Sequence, residues 1–194
     1  KSTYVKSIAI NCILAQTIQT VLAEKIDLAF GHVLTSMAIK DDLFEGDSYF
    51  VAEGKSVKRL LDKVASQEPC YCFVDEILKG TNTIERVAAS SSVVHWLSES
   101  NSLAIVATHD IELTEILKEQ CENIHFSERV DDIQGIRFDY LVKKGPARSR
   151  NAIALLHAMD YPSQIVNEAK FSANFFDEHR SWPIEKNDPT ENPA

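Results

Sequence analysis

Hydrophobic residues near the start of the chain recur every three or four positions, at Val5, Ile8, Cys12 and Ile13. This spacing places them on one face of a helix, and it predicts an amphipathic helix that begins almost at residue 1. In an α/β domain, a strand at the centre of the sheet normally precedes such a helix. We therefore expect that strand to precede Lys1.

Two unbroken apolar runs lie further along, C-Y-C-F-V at residues 70–74 and L-A-I-V-A at residues 103–107. Runs without polar alternation are typical of strands buried on both faces of a parallel sheet. The surrounding pattern predicts one or two strands over residues 28–37, and helices over about 50–64, 84–98 and 111–119. This alternation predicts an α/β fold with a mainly parallel central sheet flanked by helices.

The last third of the chain has a different pattern. Apolar segments at residues 124–129 and 136–142 stand on either side of a polar turn, which predicts an antiparallel hairpin at the edge of the sheet. C-terminal helices are predicted over residues 151–159 and 162–175.

Beyond the last predicted helix, Pro183, Pro189 and Pro193 stand among charged and polar residues. Few apolar side chains remain there to offset the entropy that is lost on folding. A chain of 194 residues fits one domain with a single core. We predict a folded domain over residues 1–176 and a disordered tail over residues 177–194.

Composition narrows the class of protein. With 44% hydrophobic and 25% charged residues, the chain has the composition of a globular protein. It has no apolar run of the roughly 18 residues that a membrane helix needs, and no signal-peptide pattern at its start. We therefore expect a soluble, cytoplasmic protein with no membrane partner. The net charge of −9 argues against sequence-independent DNA binding through the whole surface, which requires clustered Lys and Arg.

The four cysteines, Cys12, Cys70, Cys72 and Cys121, show neither the C-x-x-C spacing of a metal site nor the density of a disulfide framework. Two of them lie inside a predicted strand. We predict reduced, buried thiols.

Lys1, Ser2 and Thr3 stand at the mouth of the first predicted helix. They match the end of a phosphate-binding loop, G-x-x-x-x-G-K-[ST], in which the Lys contacts the β- and γ-phosphates and the hydroxyl binds Mg²⁺. The unpaired N–H groups of the helix N-terminus add to such a site. The match is short, and the alternative is that these residues only begin a helix.

Asp75 and Glu76 directly follow the first buried run, at the end of a strand where open α/β sheets bind their ligands. Asp75 would hold Mg²⁺ through the water shell that this ion keeps. Glu76 would orient or deprotonate the attacking water. The alternative is that the two carboxylates cap the following segment.

Thr108 and His109 leave the second buried run at the same predicted edge of the sheet. His109 there can sense or stabilise a γ-phosphate, although a single histidine is more often structural. The order Lys-Ser-Thr, then strand-Asp-Glu, then strand-Thr-His is that of the sites in ABC-class ATPases. Together the three segments predict a P-loop NTPase of the ABC class.

Longer segments resemble the MutS family. Residues 75–83 read D-E-I-L-K-G-T-N-T, similar to the family's D-E-I-G-R-G-T-S-T, and residues 107–114 read A-T-H-D-I-E-L-T, similar to A-T-H-x-x-E-L-T. The match continues through G-P-A-R-S-R-N-A-I at residues 145–153 and Y-P-S-Q-I-V at residues 161–166. The resemblance implies a domain that binds ATP and Mg²⁺ and hydrolyses ATP.

Residues 41–43, D-D-L, and residues 46–53, G-D-S-Y-F-V-A-E, resemble the family's D-D-L and G-x-S-T-F-M-V-E. Ser48 matches the signature serine of this segment, which in the family contacts the nucleotide of the opposite subunit. The resemblance therefore implies a homodimer or heterodimer with two sites that are each split across the interface. It also implies DNA binding mainly through domains upstream of this one.

The chain departs from the family pattern at Tyr49, which replaces Thr, and at Leu78 and Lys79, which replace Gly and Arg. Residues 151–153, N-A-I, stand where many members have Tyr-Gly-Ile. These departures indicate a divergent MutS-like branch, acting in mismatch repair or in another DNA process.

The resemblance and the motifs assign three kinds of site residue. The predicted catalytic residues are Glu76 and His109, the predicted nucleotide ligands are Lys1, Ser2, Thr3 and Ser48, and the predicted metal ligands are Ser2 and Asp75. The leading hypothesis is an ATP-hydrolysing dimerisation domain of a MutS-like DNA repair or DNA-processing protein. The alternative is a nucleotide-binding or purely structural dimerisation module without turnover. Another ABC branch is disfavoured, because the chain has no L-S-G-G signature.

Overall fold

The computed structural model describes residues 1–37, 49–131, 135–147 and 151–183. Its helices are α1 (Ser2–Thr17), α2 (Tyr49–Val64), α3 (Thr83–Glu99), α4 (Ile111–Ile116), α5 (Ala152–Ala158) and α6 (Ser163–His179). Its strands are β1 (His32–Ser36), β2 (Cys70–Asp75), β3 (Ser102–Ala107), β4 (Ile124–His125), β5 (Glu128–Asp131), β6 (Gly135–Phe138) and β7 (Lys143–Lys144).

Two compact units make up the chain. The first contains Lys1–His125 and Lys143–Pro146, and hence α1 to α4, β1 to β4 and β7. The second contains Phe126–Val142 and the chain from Ala147 onward, and hence β5, β6, α5 and α6.

The first unit is built on a three-stranded parallel sheet in the order β1-β2-β3. The central strand, β2, pairs with β1 from Cys70 to Val74 and with β3 over its whole length, so that Asp75 lies opposite Ala107. Because the strands are parallel, all three end at one edge of the sheet. Asp75 and Glu76 at the end of β2, and His109 after β3, lie at this carboxyl edge.

Helix α1 covers one face of this sheet. Its buried positions Val5, Ala9 and Cys12 are spaced by four and three residues, so they share one side of the helix. They pack in one cluster with Phe73 of β2 and Ala107 of β3. Helix α1 is therefore attached to the two strands that end in the candidate site.

The opposite face of the sheet is covered by α2, α3 and α4. Alternate residues of β2, Cys70, Cys72 and Val74, pack there against Leu60 of α2 and Leu97 of α3. Residues of a strand point alternately to its two faces, so β2 is buried from both sides. This explains why its sequence is an unbroken apolar run.

Helix α3 has a defined start. The Asn82 side chain caps it by accepting a hydrogen bond of 3.0 Å from the backbone N–H of Glu85. The cap ends the segment that follows β2 and directs the chain back across the sheet.

In the second unit, β5 and β6 pair antiparallel, and α5 packs against both strands and against α6. Aromatic rings line one end of α6, where Phe175 stacks on His179 at 4.1 Å and Phe176 stacks on Trp182 at 4.5 Å between ring centroids.

The predicted α/β fold with a parallel sheet flanked by helices is confirmed, and the helices and the strands of the parallel sheet form within a few residues of their predicted places. The two segments predicted as a hairpin, residues 124–129 and 136–142, overlap three short strands, β4, β5 and β6, and β7 lies beyond them. The predicted edge position of the hairpin is wrong. Among the described strands, β5 and β6 form a two-stranded sheet of their own, and β4 pairs only with β7. The apolar pattern marks these strands as extended, but it does not specify which strands they pair with.

Two predicted helix ends also differ. Helix α4 stops at Ile116 rather than at residue 119, because the chain continues in hydrogen-bonded turns in which Gln120 and Cys121 both donate to the Leu117 carbonyl. Helix α6 runs to His179, beyond the predicted end at residue 175.

Some predictions fall on residues that the structure does not describe. The D-D-L segment at residues 41–43, Ser48, the R-S-R segment at residues 148–150 and most of the predicted tail from residue 184 onward lie outside the described residues. The single domain over residues 1–176 stays a prediction.

No helix within the described ranges has both the length and the apolar character that crossing a membrane requires.

All four cysteines are free thiols, and three of them, Cys12, Cys70 and Cys72, are buried. Burial raises the pKa of the Cys72 thiol to about 12, and the charge repulsion of Cys70 adds to this rise. Burial also raises the pKa of the Cys12, Cys70 and Cys121 thiols, so all four are protonated at neutral pH. The prediction of buried thiols is wrong for Cys121, which is only half-buried.

Replacing Phe73 by Ala should destabilise the first unit by about 3–5 kcal/mol, because it opens a cavity between α1 and the sheet. Phe73 is 1% exposed, whereas Leu103 on the neighbouring strand is 61% exposed. Leu103→Ala is the matched control and should cost no more than about 0.5 kcal/mol. Urea unfolding followed by circular dichroism measures both, and equal costs would contradict the assigned core.

Candidate functional site

Three segments that are far apart in the sequence meet at the carboxyl edge of the parallel sheet. The Lys1 Nζ donates a hydrogen bond of 2.6 Å to the Thr108 carbonyl and lies 3.3 Å from Nδ1 of His109. The other ring nitrogen of His109, Nε2, lies 3.3 Å from Oε1 of Glu76. The start of α1, the residue after β2 and the residues after β3 therefore form one polar cluster.

The contacts of His109 determine where its ring proton lies. A Lys ammonium only donates hydrogen bonds, so Nδ1 of His109 is an acceptor. The neutral ring then carries its proton on Nε2, which faces the Glu76 carboxylate. His109 thus links the cation of Lys1 to the carboxylate of Glu76.

Glu76 is held at the strand end by its backbone. Its N–H donates a hydrogen bond of 2.9 Å to the Ala107 carbonyl, which extends the pairing of β2 with β3 one residue beyond Asp75. Its φ of 59° and the φ of 51° at Leu78 are left-handed, an uncommon conformation for residues other than glycine. The chain therefore turns sharply there, and strained backbone of this kind is concentrated at functional sites.

Two lysines act on the Glu76 carboxylate. Lys79 Nζ donates to Oε2 at 2.7 Å, and this hydrogen bond is the main reason that the pKa of Glu76 lies below its ordinary value. Partial burial opposes the shift, and the charges of Lys79 and Lys1 add to it. The same contact raises the pKa of Lys79. Glu76 is therefore ionised at neutral pH.

Asp75 lies on the face of the sheet that α1 covers. It follows Phe73 by two residues, so the two side chains share one face, and Phe73 packs against α1. Among the described residues, the Asp75 carboxylate has no hydrogen bond or ion pair. It is a half-buried carboxylate on the α1 face of the sheet.

Ser2 and Thr3 form the first turn of α1. The first backbone hydrogen bond of the helix runs from the Val5 N–H to the Lys1 carbonyl, at 3.1 Å. The N–H groups of Ser2 and Thr3 precede it and have no acceptor within the helix. Such groups favour an anion, so this turn adds to the cluster the feature that phosphate sites use.

The predicted metal ligands do not form a complete metal site by themselves. The described ranges contain no group of three or more His, Cys, Asp or Glu side chains that could hold a metal ion. Asp75 and Ser2 supply one carboxylate and one hydroxyl, which suits Mg²⁺, because this ion keeps several waters and takes substrate phosphates as ligands. Ser48, the predicted contact to a second subunit, lies outside the described residues.

Arg86, which no sequence pattern marks as a site residue, fixes the turn that carries His109. Its Nε and Nη2 donate to the two carboxylate oxygens of Asp110 at 2.9 and 2.6 Å. The backbone N–H of Asp110 in turn donates to the Thr108 hydroxyl at 2.9 Å. An Arg one turn into α3 and an Asp after a strand give no local pattern, so only the folded chain brings them together.

The sequence is similar to those of known proteins. A family model described as MutS domain V matches residues 1–177. The chain is 29% identical over 171 residues to the DNA mismatch repair protein MutS of Thermus aquaticus, a match that covers 88% of the chain and 21% of that protein.

Two further relatives match a similar share of the chain. The chain is 30% identical over 175 residues to the DNA mismatch repair protein MutS of Aquifex pyrophilus, covering 88% of the chain and 20% of that protein. It is 29% identical over 174 residues to the DNA mismatch repair protein MutS 2 of Haloarcula marismortui, covering 88% and 18%. The chain spans about a fifth of the length of the curated relatives it matches.

Replacing Lys79 by Met should raise the pKa of Glu76 towards its ordinary value of 4.5, because the main cause of the lowered pKa is removed. The stability from this ion pair is complete above that ordinary value and is lost as the pH falls through the lowered, folded-state pKa. An NMR titration of the Glu76 carboxyl carbon measures the shift. Lys58→Gln removes another exposed pair, with Asp62, and should leave Glu76 unchanged. The same Glu76 pKa in parent and Lys79→Met would contradict the assigned cause.

Replacing Arg86 by Lys should destabilise the first unit by about 1–2 kcal/mol, because an ammonium cannot form the paired hydrogen bonds to Asp110. Arg59→Lys is the control, since within the described part of the chain Arg59 donates a single hydrogen bond of 3.1 Å, to the Thr35 carbonyl. Thermal unfolding compares the two. A larger cost for Arg59→Lys would show that the Arg86 pair does not hold the turn.

Proposed function

Because this chain belongs to the MutS family, in which it corresponds to domain V, we propose that it is an ATP-binding and ATP-hydrolysing domain. The proposed fold is that of an ABC-class P-loop NTPase, and the cofactors are ATP and Mg²⁺. The protein that contains it acts in DNA mismatch repair or in a related DNA process, as a divergent branch of the family.

One observation carries the proposal. Lys1, Glu76 and His109 are separated by most of the first unit in the sequence, yet their side chains contact one another in a single chain of polar atoms. Neither a role in the core nor a role in capping explains why a lysine contacts a histidine and that histidine contacts a carboxylate at the carboxyl edge of a sheet. Phosphoryl transfer explains this arrangement, because that reaction depends on the positioning of groups and on the stabilisation of charge.

Each residue has a role that its surroundings support. Lys1 donates to the carbonyl of Thr108 and would exchange this contact for the oxygens of the β- and γ-phosphates, which are stronger, charged acceptors. The α1 N-terminus, with Ser2 and Thr3, adds its N–H groups. Nε2–H of His109 would donate to the γ-phosphate in exchange for its contact with Glu76.

Glu76 orients the attacking water and accepts its proton. A lowered pKa keeps this carboxylate ionised, so it is an acceptor throughout the neutral range.

Mg²⁺ would be held by Asp75 and the Ser2 hydroxyl together with the phosphates of the nucleotide. When bound, the ion neutralises the charge of the phosphate oxygens. Asp75 suits this role because its carboxylate has no partner among the described residues and lies on the α1 face of the sheet.

The proposed assembly is a homodimer or heterodimer, in which Ser48 of one subunit completes the site of the other. DNA contact would come mainly from upstream domains. Hydrolysis then requires two subunits in register, so turnover reports on assembly of the dimer.

Replacing Glu76 by Gln should lower ATP turnover about 100-fold or more, because the amide cannot accept the proton of the attacking water. Affinity for ATP should stay within about threefold, since Glu76 acts mainly on the water. Turnover is measured with Mg²⁺ and ATP on the chain extended before Lys1 by the glycines of the G-x-x-x-x-G-K-[ST] loop.

Glu99→Gln is the matched control, because Glu99 also lies near a histidine, 3.7 Å from His95, but far along α3 from the cluster. It should keep the parental turnover. Equal turnover in Glu76→Gln and the parent would remove Glu76 from its role. Tight ATP binding by calorimetry without turnover in the parent would instead favour a nucleotide-binding dimerisation module.

A further inference from the structure

Helix α2 has a carboxylate on its buried face. Glu53 is 2% exposed and stands at the start of a row of buried positions, continued by Val57, Leu60 and Val64. The spacing of four, three and four residues places all of them on one side of the helix. A carboxylate in such a position is costly unless it is hydrogen-bonded, so the partner of Glu53 is informative.

That partner belongs to the segment that carries Glu76. Oε2 of Glu53 accepts a hydrogen bond of 2.8 Å from the backbone N–H of Gly80. Gly80 closes the short turn that begins with the left-handed residues Glu76 and Leu78. A charged acceptor gives a stronger hydrogen bond than a neutral one, so this contact fixes the far end of the turn.

Gly80 also lies against the first turn of α2. A Cβ added at Gly80 would stand 3.0 Å from N and Cα of Phe50 and 3.0 Å from Cδ1 of Tyr49. The close approach of two backbone segments leaves no room for a side chain, and this explains a glycine at this place.

A second contact joins the same two segments. The Lys79 ammonium lies 5.7 Å from the centroid of the Tyr49 ring, within reach of a cation–π interaction. The same ammonium donates to Glu76. The start of α2 is therefore linked to Glu76 by Tyr49 and Lys79 on one side, and by Glu53 and Gly80 on the other.

We propose that Glu53 is a positioning residue for Glu76, which holds residues 76–80 on the first turn of α2. This proposal rests on the proposed function. Helix α2 begins at Tyr49, immediately after Ser48, the predicted contact to the nucleotide of the second subunit.

The test replaces Glu53 by Ala and by Gln in the loop-extended chain. Without the carboxylate, the Gly80 N–H loses its acceptor, and its hydrogen exchange, followed by NMR, should accelerate about tenfold or more. The turnover number for ATP should fall about tenfold while KM stays within about twofold, because Glu53 does not contact the nucleotide. Glu53→Gln keeps an oxygen acceptor of the same shape and should recover most of the exchange protection and of the turnover.

Val57→Ala is the control for general loss of stability, since Val57 is buried one turn further along the same face of α2. It should destabilise the fold. The hydrogen exchange of the Gly80 amide relative to neighbouring amides should stay as in the parent, and so should the turnover number. The role of Glu53 is overturned if Val57→Ala lowers turnover as much as Glu53→Ala, or if Glu53→Gln recovers nothing.

The outcomes also separate this role from the proposed function. Turnover in the parent with unchanged Gly80 exchange in Glu53→Ala would overturn the role of Glu53 alone. Absence of turnover in the parent would overturn the proposed hydrolysis, and with it any role of Glu53 in that reaction.

Discussion

The parallel pairing of β2 with β1 and β3 is the constraint on which the rest of the first unit depends. Parallel strands end at the same edge, and the register that sets Asp75 opposite Ala107 brings the chain after β2 level with the chain after β3. The site residues are not adjacent in sequence, so no local interaction could bring them together. Burial of β2 on both faces stabilises this arrangement, because α1 covers Phe73 and the other helices cover Cys72 and Val74.

The electrostatics of the edge follow from that geometry. The Glu76 carboxylate at the end of the central strand is contacted by His109 from the next strand and by Lys79 within its own turn, and His109 in turn contacts Lys1 at the start of α1. Together the two lysines lower the pKa of Glu76 and keep it ionised. The buried carboxylate of Glu53 joins the turn to α2 from the other face of the sheet. The edge is thus connected to both helical layers.

Much of this arrangement was predictable from the sequence, and the reason differs between its parts. The unbroken apolar runs identified β2 and β3, because a strand that is covered on both faces has few positions at which a side chain contacts solvent. Lys1, Glu76 and His109 were predicted as one site because Lys1 begins a helix and the other two follow strands. Open α/β sheets bind their ligands where strands end and helices begin, at the carboxyl edge of the sheet. The hairpin was placed wrongly, since alternation along a strand does not encode its neighbour.

The sequence by itself determined the order of strands and helices, the membership in the MutS family, and which polar residues follow each strand. These properties follow from the local pattern of polar and apolar residues, because the preference of each side chain for solvent or for the interior favours a helix or a strand at that place. Only the tertiary structure decided that Arg86 holds the turn of Asp110, that Lys79 takes one oxygen of Glu76, and that Gly80 donates to Glu53. Such pairs join side chains from separate elements, and their distances depend on how the layers pack rather than on any spacing along the chain.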